Sequence, residues 1–212
     1  MSKSVMNALK ATAVLVCITV VCVGVLTLCN MFFPKYVPTL DAATAKLINS
    51  ICPTGTTDEK AFDEDYIVIL EEGDYGVKLD DFNKTNKLTK AEILAVYREQ
   101  KGVHQNAFIV ESKSTGRDGD VVILTAYLND IILGATVKKQ GESYWEKLPD
   151  DLFAELKGKP FEPIDLNGLV GKTGATLSLS AIERAVNLSN TFAKAIAANV
   201  HGYIVDVGGA NE

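Results

Sequence analysis

The feature that most limits what this chain can become is a run of 23 residues, 11–33, without a single charged side chain. As a helix rising 1.5 Å per residue it would reach about 34 Å, enough to cross the hydrocarbon layer of a bilayer. Lys3, Lys10 and the α-amino group precede it and Lys35 closely follows it. That bias puts the N-terminus in the cytoplasm and everything after the run outside. A cleaved leader and a lipoprotein anchor at Cys29 are the rival readings. The run is longer than the apolar part of an ordinary leader, and Leu28 is too bulky for the small-residue position before a lipoprotein cysteine.

Beyond the run the chain is acidic. All 27 Asp and Glu lie there against 19 of the 21 Lys and Arg, a formal charge of −8. Such a surface argues against nucleic acid or anionic headgroups as partners. Cys17, Cys22 and Cys29 fall inside the run, leaving Cys52 with no cysteine to pair with in the remainder, so neither a disulfide framework nor a cysteine metal cluster is expected. His104 and His201 lack metal-like spacing and read as surface or packing residues.

The remaining length suffices for one domain. Its expected class is α+β: one N-terminal transmembrane helix, then a small extracytoplasmic domain with a mainly antiparallel sheet and packed helices. The predicted layout is a cytoplasmic N-terminus at 1–10, a span at 11–33, a juxtamembrane stalk at 34–60 whose helical part covers 39–51, and the domain proper at 61–212. Short β-branched runs predict strands at 66–71, 107–111, 121–127 and 131–138, the last two forming a hairpin through Asn129 and Asp130. Helices are predicted at 90–100, where Thr89 can cap, and at 149–157, which Gly158 ends. The clearest predicted helix starts at Ser180, where Ser180 and Glu183 fit a capping box, and runs for about 18 residues with Ile182, Val186, Phe192, Ala193, Ile196 and Ala197 facing inward. An edge strand is predicted at 203–207. The acidic groups at 63–65 and 71–72 read as solvated edge protection, and Asn83 and Asn187 begin glycosylation-like triplets that matter only in a secretory setting.

Directly before that helix stand Thr173, Gly174, Ala175, Thr176, Leu177 and Ser178. A helix start carries unpaired N–H groups and partial positive charge, so a phosphate here is stabilised without a lysine. Gly174 and Ala175 keep the backbone open, and Thr176 holds its hydroxyl at the mouth of the anion site. A hydroxyl-capped strand-to-helix connection is the plain structural reading of the same residues. A second Gly-Ala-Thr, at 134–136, sits inside a strand pattern and reads as structural.

The 173–178 segment resembles the flavin-attachment motif of the FMN-binding domain family, shared by the G subunit of the Rnf ion-translocating electron transport complex and the C subunit of the sodium-translocating NADH:quinone reductase. There the pattern is roughly Asp-x-x-Ser/Thr-Gly-Ala-Thr-x-Ser/Thr, and its last threonine carries FMN as a phosphoester. By position that residue is Thr176, while Val170 stands at the aspartate position. Residues 113–120 and the strand after them are similar to the family's glycine-rich turn. Glu142, Ser143, Tyr144 and Trp145 occupy the place of its loop over the flavin, with Ser143, Tyr144 and Trp145 where the family prefers Thr, Pro and Gly. Trp145 and Tyr144 are candidates to stack on an isoalloxazine ring, and Glu142 to bond its edge or simply to be solvated.

The resemblance implies an electron-relay subunit with covalent FMN, in a membrane ferredoxin:NAD oxidoreductase complex coupled to ion transport. It also implies contacts with other membrane subunits and lipid, a flavin transferase for maturation, and a non-catalytic role for the chain itself. The reading from another class is a membrane-anchored, flavin-free binding or assembly module.

Overall fold

The computed structural model describes residues 40–52, 67–100, 104, 107–166 and 175–207, with 12, 14–16, 18–20 and 23–24 of the N-terminal run. The chain divides into two compact units, Met1–Val37 and Pro38–Glu212. In the first unit the described residues are helical, and Val14, Leu15, Val16, Ile18, Val20 and Val23 are exposed. Among the described residues no helix is long and apolar enough to cross a membrane. Most of the predicted span lies outside those residues.

The second unit is α+β. Its five strands, β1 (Ile67–Ile69), β2 (Ala91–Glu99), β3 (Phe108–Thr115), β4 (Asp120–Leu128) and β5 (Ile131–Gln140), form one antiparallel sheet in chain order, each strand paired with its neighbour. Four of these strands overlap those predicted. The β4–β5 hairpin turns at Asn129 and Asp130, both with positive φ (50° and 63°), as a two-residue turn matched to strand twist requires.

β2 occupies the segment predicted as a helix. Ala, Glu and Leu gave it helical propensity, but both faces of the strand are covered, so apolar side chains are needed at both parities, and tertiary burial outweighs the local preference. Ile93 and Val96 face one core while Ala95 and Tyr97 face the other. Thr89 therefore caps no helix; its hydroxyl donates to the Asn86 carbonyl at 2.7 Å.

Two helices sandwich the sheet. α1 (Ala42–Ile51) is capped by Asp41, whose carboxylate accepts from the Thr44 N–H at 2.6 Å. The segment read as a stalk is thus not free of the domain, because Ile48 and Cys52 are buried with Ile67, Ala95, Tyr97, Ile109 and Leu124 on one sheet face. Gly134 of β5 admits this approach: a Cβ there would stand 3.0 Å from the Ile51 carbonyl oxygen. The second Gly-Ala-Thr is therefore a packing feature of a strand.

Two short helices, α2 (Glu72–Tyr75) and α3 (Leu79–Thr85), come after β1. Glu71 and Glu72 do more than meet solvent. The Glu71 N–H donates to Asp74 within a capping box, and Glu72 accepts from the Leu79 N–H at 2.9 Å. β1 pairs with β2 from Tyr97 to Glu99, and farther along β2 the Asn83 amide takes a strand's place, donating to the Ile93 carbonyl at 2.9 Å and accepting from its N–H at 2.8 Å. That side chain covers an open sheet edge.

The other face is covered by α4 (Thr176–Val207), 32 residues long. Leu179, Ile182, Val186, Ala193, Ile196 and Val200 recur at helical spacing and are buried against β2, β3 and β4. Phe192 meets Tyr75 and Phe82 edge-on at centroid distances of 5.7 and 4.9 Å. The helix begins one turn earlier than predicted: the Ser180 hydroxyl donates back to the Thr176 carbonyl, and Glu183 accepts from the Leu166 N–H instead of closing a capping box. It also continues through 203–207, where an edge strand was predicted. Residues 149–157 form successive tight turns and one 3₁₀ turn, Ala154–Leu156, in place of an α-helix. Their closures, such as Leu152 N–H to Pro149 C=O and Ala154 N–H to Asp151 C=O, span three residues. Gly158 ends the stretch at φ 80°, as expected.

Candidate functional site

The antiparallel meander brings the start of β2, the end of β3, the start of β4 and the end of β5 to one end of the sheet, where α4 begins. The anchoring contact is a buried carboxylate. Glu142, just past β5 and 4% exposed, accepts the Ser178 hydroxyl at 2.7 Å on one oxygen. Its other oxygen accepts the N–H groups of Asp118 and Gly119 at 3.1 and 3.2 Å. A single side chain thus ties the first turn of α4 to the β3–β4 turn. Gly116 is what allows the approach, since any side chain there would run into the Glu142 carboxylate. The solvated reading of Glu142 is corrected: a carboxylate this deep needs its bonds filled, and three donors fill them.

The two hydroxyls in the first turn of α4 have different fates. Ser178 is buried at 2% exposure and committed to Glu142. Thr176 is exposed, and its hydroxyl bonds to no other described residue. Leu177 is 54% exposed and Ala175 is buried. The N–H groups of the first turn have no carbonyl four residues back within the helix; among the described residues the Leu179 N–H is the first to find one, at Ala175. Thr176 thereby stands at the positive end of a 32-residue helix. Thr173, Gly174 and Val170 lie outside the described residues.

Around this start lie cations that sequence reading passed over. Arg184, two turns into α4, donates to the Thr115 carbonyl at 2.8 Å and to the Ser114 hydroxyl at 3.3 Å, a second tie between helix and β3. Tyr144 has the Lys147 ammonium 4.4 Å and the Arg117 guanidinium 5.6 Å from its ring centroid. Ser143 is exposed and its N–H meets the Asp118 carboxylate at 3.4 Å. Trp145 packs partly buried against the α4-side core. Of the four loop residues from Glu142 to Trp145, Glu142 alone bonds the helix start. Arg117 lies in the 113–120 segment that is similar to the family's glycine-rich turn, where its side chain has no assigned role; the nearby aromatic pair is the signal that could single it out.

Two features of the opposite face are structural. The Cys52 thiol donates to Glu99 at 3.0 Å, and burial, then that bond, pushes its ionisation well above the ordinary thiol range. Glu111 is buried between the Tyr97 hydroxyl (2.6 Å) and the Lys138 ammonium (3.0 Å), so its charge is paired.

Comparison with protein-family models finds none that matches this chain, and comparison with curated proteins finds no similar sequence.

Proposed function

We propose that this chain is the electron-relay subunit of a membrane oxidoreductase complex, held in the bilayer by residues 11–33 with its domain outside, and carrying FMN as a phosphoester of Thr176. The observation that carries the reading is the division of labour in the first turn of α4: Ser178 spends its hydroxyl on Glu142, while Thr176 keeps an exposed one at the helix's positive end that bonds to no other described residue. These residues fit a phosphate monoester. The first-turn N–H groups offer donors to its oxygens, and the helix dipole favours its negative charge.

Bound there, the flavin supplies one-electron transfer. The chain's own residues supply position: the Glu142 and Arg184 contacts fix the helix start against the sheet, so a group tethered to Thr176 is held to one end of the domain. A relay needs no general base from the protein, only a fixed distance to its donor and acceptor. Ferredoxin and NAD⁺ as the redox couple, ion transport, neighbouring membrane subunits and a maturing flavin transferase complete the proposal, on the strength of the 173–178 resemblance.

Trypsin cuts after Lys172 and Arg184, releasing peptide 173–184. From cells that make a flavin transferase, that peptide is expected to carry the mass of FMN less one water. The full chain should also fluoresce on a denaturing gel, with the signal lost in Thr176→Ala and kept in Thr173→Ala. An unmodified peptide from such cells rejects the relay and leaves the anchored, flavin-free module.

A further inference from the structure

At the same end of the sheet a separate hollow of about 550 Å³ opens between the turn after α3 and the β2–β3 edge, lined by Asn83, Lys87, Lys90, Glu92, Lys113 and Thr115. Its size lies in the range of small-molecule sites. We propose that this hollow binds a small organic anion bearing a phosphate or carboxylate group, independently of any flavin on Thr176.

Charge is the first argument. In a chain with net charge −6, three lysines line one concavity. Lys113 is held by Glu92 and, at 3.9 Å, by Asp120. Lys87 and Lys90 have no carboxylate partner among the described residues, and the walls of the hollow focus the field of its lysines.

Backbone geometry is the second. Lys90 sits at φ 56°, ψ 30°, a left-handed conformation that glycine adopts without penalty and lysine does not. The conformation is imposed from outside: the Lys90 carbonyl accepts the Thr115 N–H and the Ser114 hydroxyl, both at 3.2 Å, and its N–H reaches the Lys87 carbonyl at 3.3 Å. A position that favours glycine is thus occupied by a lysine that lines the hollow. Asn83 is fixed at both ends of its amide by Ile93, which sets that wall before any ligand arrives. The geometry is that of a preorganised anion receptor, with one carboxylate, Glu92, already neutralised by Lys113.

Lys90→Gly separates function from folding, because it removes the ammonium while relieving the backbone. The full-length chain in detergent is titrated calorimetrically with inorganic phosphate and with citrate, at constant ionic strength. Saturable binding is expected, weakened about tenfold in Lys90→Gly and in Lys87→Gln, the loss expected for one charge-assisted bond. Lys157→Gln, remote from the hollow, and Thr176→Ala should bind as the parent does. Absence of binding by both probes, or equal affinity in Lys90→Gly and the parent, overturns the proposal. Loss of binding in Thr176→Ala overturns its independence from the flavin site.

Discussion

Replacing Glu142 by alanine tests the anchoring contact directly, and the structure sets the size of the effect. The change strands three donors: the Ser178 hydroxyl, which is buried, and the N–H groups of Asp118 and Gly119, which are part-buried. A buried donor left unpaired costs about 1–3 kcal/mol, and one that water can reach costs less, so the sum is about 3 kcal/mol. For a unit of this size that corresponds to a fall in Tm of about 6–12 °C. Glu142→Gln should cost about 1 kcal/mol. Its amide oxygen still accepts both N–H groups, and its NH₂ can donate to Ser178 once that hydroxyl turns to accept. Thermal unfolding by circular dichroism in detergent gives the global figure, and amide hydrogen exchange gives the local one, with Asp118 and Gly119 exchanging fast in the alanine variant and slowly in the glutamine variant. A Tm within a degree of the parent in Glu142→Ala, or unchanged exchange at those two amides, refutes the claim that this carboxylate holds the helix start.

Two further predictions concern the α1 face and the alkaline limit. Gly134→Ala puts a methyl 3.0 Å from the Ile51 carbonyl oxygen and 3.1 Å from its Cβ, both parts of a packed helix, and is expected to cost about 1–3 kcal/mol; a Tm equal to the parent's shows that α1 does not rest on the strand as described. The buried acids Cys52, Tyr75 and Tyr127 are all pushed up, first by burial, so each is neutral in the folded state while its unfolded counterpart ionises near 9.0 for the thiol and 10.0 for the phenols. Their contribution is complete below those values and is lost as pH rises past them, at about 1.4 kcal/mol per unit and group. Stability measured by urea titration should therefore begin to fall above about pH 9. In Cys52→Ala the fall should begin about one unit later, and an identical onset in parent and variant removes the thiol from the account.

How far the fold was readable depended on whether a segment's local preference agreed with its burial. Residues 121–140 read correctly because β-branched runs flank Asn129 and Asp130, and those two residues tolerate the positive φ the turn demands. Residues 91–99 misled because a strand covered on both sides loses the alternation that marks one-sided strands, and a mix of Ala, Glu and Leu then looks helical. Likewise α1 looked like a stalk: its apolar stripe was visible, but the partner surface is made of residues from four strands that are distant in sequence. Glu142 failed for the same reason, since its three donors come from residues 118, 119 and 178. No spacing rule links a turn to a helix start across the sheet.

The helix that carries the candidate segment begins earlier than its capping residues suggest. With the helix start expected at Ser180, 173–178 precede it, and Thr176 is distinguished there by its place at the mouth of the anion site and by the resemblance, with Thr173 and Ser178 as further donors. A start at Thr176 separates Thr176 from Ser178 by helical geometry as well. Successive residues of an α-helix turn by about 100°, so positions 176 and 178 differ by roughly 200° and point to opposite sides. If one packs against the sheet, the other must face away. Leu179, Ile182 and Val186 fix which side is inward, and Ser178 lies next to that stripe while Thr176 does not. A buried hydroxyl then requires an acceptor, and the nearby loop supplies the Glu142 carboxylate; an outward hydroxyl requires none and stays available to react. The assignment of Thr176 over Ser178 thus depends on helical phase. Inserting one alanine between Ser180 and Ala181 should rotate the first turn by about 100° relative to the packed stripe and pull Ser178 from Glu142, so that Ser178→Ala, destabilising in the parent, lowers Tm no further in the insertion variant. An equal loss of Tm on Ser178→Ala in the parent and in that insertion variant would mean the pairing does not track helical phase, and the argument for Thr176 would lose its physical basis.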